Sequence, residues 1–387
     1  MTIIQKEEQR EFKHIDLRLI IPNFASELTD LIMELEYLRK LRFAGTTPPQ
    51  TFFQIKHIFH FLESIGSARI EGNRTTIVDY IDNKIENQPD NKPDFREIEN
   101  MENALPFIDE NINTQIINRA FVSELHKMVV AGLPKEGSRT PGEYRNSPVQ
   151  IYGSTLVPPP FVSVPSYMDE LFDFMGKNDA PKYDLLKIAL AHHRFVWIHP
   201  FDNGNGRTVR LLTYAMMVKL GFRIQLARIL NPTAIFCYDR EQYYAALARA
   251  DQGDDEGFSQ WALYMLSGLK RELEKTDKLK EYPYLKDKIL KPAINYSLEK
   301  NILNDNEAKI LCLAIDKVAI VNADIKKQFP TKHISEISRM IRTLLDNRYL
   351  IAIPSNSRKY SINFRENKLL KGIIFALDQA GFLPANL

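Results

Sequence analysis

His199-Pro200-Phe201-Asp202-Asn203-Gly204-Asn205-Gly206-Arg207-Thr208-Val209-Arg210 carries the strongest signal in this chain. Both flanks have a helical pattern. Upstream, Leu185, Leu186, Ala189, Leu190, His193, Val196 and Trp197 recur at the spacing of one helical face; downstream, Val209, Leu212, Met216 and Leu220 do the same, with Gly221 as a stop. Pro200 forbids the first helix from continuing, and Gly204 and Gly206 let the backbone turn into the second. Such a loop aims unpaired amide groups at one point, which suits an anion. Arg207 and Arg210 share a face of the first turn, where each cation opposes the helix dipole by roughly 0.3–1 kcal/mol. They also repel one another unless an anion or a carboxylate sits between them. A polyphosphate fits.

The chain has 387 residues, 44% hydrophobic and 26% charged, which is a globular balance with room for two or three domains. A net charge of +2 argues against a protein wholly devoted to nucleic acid, although it leaves room for a local basic patch. The two cysteines, Cys237 and Cys312, suggest neither a disulfide framework nor a metal site. The first residues lack a signal-peptide pattern, and no apolar run approaches the roughly 20 residues that span a bilayer. These features predict a soluble protein of a reducing compartment, the cytoplasm, without membrane contact.

Leu28, Leu31, Ile32, Leu35 and Leu38 predict a helix over 27–42, and Phe53, Ile55, Ile58, Phe59, Leu62, Ile65 and Ile70 a second over 52–71. His57 and His60 on the second lack companion carboxylates for a metal. The second helix ends in Ser67, Glu71 and Gly72. Ser67 and Glu71 share a face, and Gly72 is a natural stop. A carboxylate at a helix C-terminus opposes the dipole, so Glu71 is either solvated or paired. A polar stretch over 75–113 gives way to helical spacing through Phe121, Leu125, Met128 and Val129. After Gly142-Glu143-Tyr144-Arg145, alternation through Val149, Ile151, Tyr152, Gly153 and Leu156 predicts a short β-hairpin. Its edges could accept another chain as a strand, or it could simply cover the domain. Helices follow over 240–247 and 258–273; Tyr243 or Tyr244 could line a base pocket, though at least one of them suits core packing better.

Charge together with Pro283 and Pro292 predicts a linker over 276–300. Beyond it come three helical patterns and two strands, over 349–353 and 359–363, resembling a winged helix. Arg339, Arg342, Arg358 and Lys359 could meet phosphates; docking or dimerisation is the other reading of this module. The division is therefore 1–110, an N-terminal helical region; 111–275, a core; 276–300, a linker; and 301–387, the winged-helix-like domain. The fold class is mainly α.

The stretch from His199 to Arg210 resembles the Fic-domain motif His-x-Phe-x-Asp/Glu-Gly-Asn-Gly-Arg-x-x-Arg. Ser67, Glu71 and Gly72 resemble that family's inhibitory motif in its N-terminal form, and the expected hairpin resembles its target-docking flap. The resemblance covers roughly residues 60 to 270. It implies transfer of AMP from ATP to a Ser, Thr or Tyr hydroxyl of a target protein or of the chain itself. His199 is then the general base. Backbone amides around Gly204 to Gly206, with the Asn205 side chain, hold the α-phosphate. Arg207 grips the leaving pyrophosphate, and Arg210 takes the γ-phosphate or, at rest, Glu71. Asn203 stands where the family usually has Asp or Glu, a position resembling a ligand for magnesium or manganese. This substitution predicts a weak metal site. Removal of AMP by hydrolysis, and a DNA-binding regulator or homodimer built on residues 301–387, are the competing readings.

Overall fold

The computed structural model describes residues 11–40, 45–86, 92–151, 154–222, 232–353, 356–365 and 367–383. Helices dominate. In chain order they are α1 (Glu27–Lys40), α2 (Pro49–Ile70), α3 (Ile77–Glu86), α4 (Pro93–Asn111), α5 (Arg119–Val130), α6 (Val164–Gly176), α7 (Asp184–Ile198), α8 (Asn205–Lys219), α9 (Pro232–Tyr238), α10 (Arg240–Ala250) and α11 (Asp255–Asp277). There follow α12 (Tyr282–Leu285), α13 (Lys291–Glu299), α14 (Asp305–Lys317), α15 (Asn322–Gln328), α16 (Ile334–Asp346), the antiparallel strands β1 (Leu350–Ile353) and β2 (Asn356–Ile362), and α17 (Leu369–Gln379). Local chemistry accounts for many boundaries. Pro49 and Pro93 open α2 and α4, where a missing N–H costs nothing. Asn118, Asp239 and Asp254 cap α5, α10 and α11 by accepting from the amides of Phe121, Gln242 and Gly257.

Two hydrophobic cores form. The first gathers α7 and α8 with α1, α5, α6, α10, α11 and the C-terminal half of α4; Phe195, Trp197, Phe201, Val209 and Trp261 lie at its centre. The second gathers α2 with α3, the start of α4 and everything from Leu279 onward. The cores thus divide the chain differently from the division expected at 110. Helix α2 belongs almost wholly to the second core, yet Ile70, its last residue, enters the first.

The expected linker over 276–300 is largely helical and carries the buried side chains Leu279, Leu285, Ile289, Leu290, Ala293 and Ile294. Pro283 and Pro292 occupy the opening turns of α12 and α13, so they start helices where they were expected to interrupt them. The chain makes a π-helical turn at Lys286–Leu290, just ahead of Pro292, whose ring and missing N–H disturb the ordinary ladder there. The expected hairpin over 149–157 is also corrected. Tyr152 and Gly153 lie outside the described residues, and among those described around them there is no strand. The Ser154 amide donates to Ile151 O at 3.2 Å. A two-stranded hairpin with no sheet behind it is marginal. The helix–helix–helix–strand–strand order at the C-terminus stands as expected, and Ile320 adds one bridge to Tyr360. No described helix is long and apolar enough to cross a membrane.

Helix α2 is fastened to the strands by one buried amide. Gln54 Nε2 donates to Ile362 O at 3.0 Å, and the Phe364 amide donates to Gln54 Oε1 at 2.9 Å. Gln54→Ala leaves one buried acceptor and one buried donor without partners, each worth about 1–3 kcal/mol. A loss of about 2–4 kcal/mol in a denaturant titration of the full chain is expected.

Candidate active site

The site lies where α7 ends and α8 begins. His199 closes α7 in the left-handed region, at φ 50° and ψ 62°, a conformation that non-glycine residues adopt only under constraint. Buried Arg145 supplies that constraint. Its Nε donates to His199 O at 2.8 Å, its Nη2 to Pro159 O at 2.6 Å and Ile198 O at 3.3 Å, and its backbone amide to Pro200 O at 2.8 Å. The His199 ring donates from Nδ1 to Val196 O at 3.3 Å, which leaves Nε2 as the bare nitrogen. Burial, reinforced by the positive charge of Arg145, outweighs the Val196 bond and the charge of Glu71 and lowers the imidazole pKa to about 4. The ring is therefore neutral near pH 7 and able to accept a proton.

Phe201 is fully buried and stacks flat on His126, with ring centroids 3.7 Å apart and planes 2° apart. His126 is a loop-positioning residue that the sequence reading passed over. Its Nδ1 accepts from the Gly142 amide at 2.8 Å, so Nε2 carries the hydrogen and donates to Asn203 O at 3.0 Å. Burial lowers its pKa to about 4 as well. Asn205 has a structural task that the sequence does not announce. Its side chain clasps Phe201, accepting from the Phe201 amide and donating to Phe201 O, both at 2.9 Å. One of the two Nδ2 hydrogens is used on Phe201 O. Gly204 caps α8 at φ 71°, and a side chain there would run into Val130 Cγ1 at 2.8 Å. Helix geometry leaves the amides of Asn205, Gly206 and Arg207 without intrahelical partners.

A carboxylate already stands beside Gly206. Glu71 Oε1 accepts from Arg210 Nη2 at 2.7 Å, and a methyl group at Gly206 would lie 2.2 Å from that oxygen. Arg210 also donates from Nε to Ser67 Oγ at 2.8 Å and from Nη2 to Ser67 O at 3.1 Å. Gly72, at φ 104°, ends the helix immediately behind Glu71. Burial raises the Glu71 carboxyl, but Arg210, Arg207 and His199 together overcome it and hold the group below its ordinary value. Ser67, Glu71 and Arg210 thus come together as the sequence suggested. Arg207 is buried on the other side of the turn. It donates to Glu136 O at 2.8 Å and Val129 O at 3.3 Å, and its Nη1 lies 3.0 Å from Glu97 Oε1.

The base-pocket residues separate. Tyr243 is a core residue whose hydroxyl donates to His192 Nε2 at 2.9 Å; His192 Nδ1 in turn donates to Thr213 Oγ1 at 2.8 Å. Tyr244 is exposed, with Arg240 over its ring. Arg240 also lines a cavity of about 540 Å³ with Arg69, Gly72, Asn73, Arg74 and Cys237, against the turn that carries Glu71.

The residues at the expected metal position do not fit a cation held by the protein. Asn203 Oδ1 accepts from the Gly204 amide at 2.7 Å, and the Asp202 carboxylate accepts from the amides of Asn203 and Arg139. Among the described residues, no three His, Cys, Asp or Glu side chains are grouped to hold a metal.

An unfolded histidine titrates near 6.5. With His126 and His199 lowered to about 4, the folded chain binds fewer protons than the unfolded chain between those values, so stability falls as pH drops below about 6.5. The NMR ring signals of His126 and His199 are expected to show no titration from pH 8 to 5.5. His126→Ala is expected to reduce any turnover at His199 at least tenfold, while a circular dichroism spectrum stays helical.

Comparisons with known proteins agree with this geometry. Residues 116–217 match the Fic/DOC family model. The chain is 29% identical over 227 residues to a protein adenylyltransferase Fic from Nematostella vectensis, covering 56% of this chain and 48% of that one. It is 26% identical over 263 residues to one from Aedes aegypti, covering 66% and 46%. The chain thus spans about half the length of the curated relatives it matches. A crystal structure of a Fic family protein from Desulfovibrio desulfuricans superposes with a TM-score of 0.56 at 20% identity, covering 91% of this chain and 99% of that one, and so shares the fold. A Fic-domain signaling protein from Bacteroides thetaiotaomicron gives 0.52 at 19% identity over 66% and 97%. Residues 116–217, with the loop from His199 to Arg210 inside them, are thus similar to the Fic/DOC family.

Proposed function

We propose that this chain is a self-inhibited protein adenylyltransferase. One observation carries the reading: the Glu71 carboxylate sits on Arg210 over Gly206, where an anion would meet the open amides of α8. ATP competes for that place. With Glu71 withdrawn, the α-phosphate lies against the open amides of Asn205 to Arg207, and Arg210 takes the γ-phosphate. His199 Nε2 removes the proton from a Ser, Thr or Tyr hydroxyl of the target. The hydroxyl oxygen forms a bond to the α-phosphorus as the bond to the bridging oxygen breaks, and that electron pair leaves with pyrophosphate. The amides stabilise the charge gathering on the α-phosphate, where donors fixed in advance are most effective. General-base help of this kind contributes about 10²–10⁴ in rate. We assign target docking to the segment around Val149 and Ile151, which follows Arg145 in the chain.

The C-terminal module supports a second role. Arg339, Arg342 and Lys359 are exposed on α16 and β2, the face that a helix–turn–helix presents to phosphates. A gel shift with the full chain that weakens steeply with salt is the expected result for DNA binding; no shift at low salt removes that role.

For the main reading, Glu71→Gly is expected to raise AMP labelling of the chain or of lysate proteins from α-labelled ATP by tenfold or more. His199→Ala in that background should abolish it. Loss of AMP release from a labelled protein on Glu71→Gly, without gain of transfer, identifies a hydrolase instead.

A further inference from the structure

We propose that Glu97 is a second resident carboxylate, which occupies Arg207 against incoming phosphate as Glu71 occupies Arg210. The inference rests on the reading of the α8 N-terminus as a phosphate site.

Glu97 lies on α4, and 4% of its surface is accessible; for Arg207 the figure is 1%. Glu97 Oε1 stands 3.0 Å from Arg207 Nη1 but is not aligned to accept a hydrogen bond, and Arg207 Nε, also buried, has no hydrogen-bond partner. The guanidinium is neutralised in charge yet under-satisfied in hydrogen bonds. It would gain by meeting a better acceptor. Glu136, the other carboxylate nearby, is 4.0 Å away with half its side chain exposed.

The second oxygen of Glu97 ties this pair to the first. Asn73 Nδ2 donates to Glu97 Oε2 at 2.8 Å and to Asp94 O at 2.9 Å. Asn73 sits two residues beyond Glu71, and its amide donates to Ala68 O at 3.1 Å to close the same turn. Glu71 and Glu97 thus hang from one turn, and each faces one arginine of α8. Burial, with the like charges of Glu71 and Glu136, raises the Glu97 carboxyl above its ordinary value despite Arg207. A group under this pressure is readily displaced from its partner by a stronger anion.

The consequence is a linkage. Removing the Glu97 charge leaves a buried guanidinium without compensation, and an incoming anion then supplies what is missing. A scaffold residue would lower stability without favouring the anion.

The test uses the full chain titrated calorimetrically with inorganic pyrophosphate. Glu71→Gly/Glu97→Gln is expected to bind pyrophosphate at least tenfold more tightly than Glu71→Gly. Its melting temperature should be lower without pyrophosphate and largely restored with it. Equal or weaker binding overturns the proposal. Glu97→Asp keeps the charge on a shorter arm and should give about a threefold gain; if the Gln variant does not fold, absence of that gain overturns it equally. AMP labelling in the same variants separates the two ideas. Tighter pyrophosphate binding with no labelling anywhere removes the adenylyltransferase reading and leaves Glu97 in place. Labelling by Glu71→Gly with no gain from Glu97→Gln removes Glu97 alone.

Discussion

Two guanidinium groups buried in the first two turns of a helix set the terms for everything around them. Arg207 and Arg210 stand at the positive end of α8, and each is nearly inaccessible to water. Neither the dipole nor burial tolerates that arrangement without negative charge. Glu71 meets Arg210, and Glu97 meets Arg207. These carboxylates arrive on α2 and α4, so both helices must be held against α8. The pairing of Lys56 with Asp109, whose other oxygen accepts from Tyr214 of α8 at 2.7 Å, reinforces the same contact.

The loop between α7 and α8 is rigid for a related reason. A left-handed His199 is unfavourable by itself, so its surroundings must determine it more than once. Arg145 gathers the carbonyls on one side, and His126 fixes Asn203 and Phe201 on the other. Asn205 closes the turn from within. With Nδ1 of His199 held on Val196 O, the acceptor nitrogen of the ring is Nε2.

The readable part of this site lay in short-range pattern. Gly204 and Gly206 state a loop that turns into a helix, the spacing of Arg207 and Arg210 calls for negative charge, and Glu71 at a helix end is out of place in any isolated helix. The unreadable part depends on long-range meetings. His126 is one polar residue on an apolar face, which in sequence is indistinguishable from a core histidine. Glu97 lies in a polar stretch, and nothing local says that it is buried against Arg207. Asn205 reads as a phosphate donor, and nothing in the sequence says that its side chain also clasps Phe201. At the linker, prolines that begin helices carry the same letters as prolines that end them, and only the burial of Leu285 and Ile289 tells the two apart.

Helix α2 joins the two cores end to end. Its 22 residues span about 33 Å at 1.5 Å per residue. Gln54 anchors it near one end, and Glu71 follows the other. Over that length a tilt of about 5° moves the far end by about 3 Å, roughly one hydrogen-bond length. The fit of Glu71 on Arg210 is therefore a matter of mechanical tolerance: the stiffness of side chains packed at a distance, around Phe59 and Leu62, limits how far the carboxylate can stray.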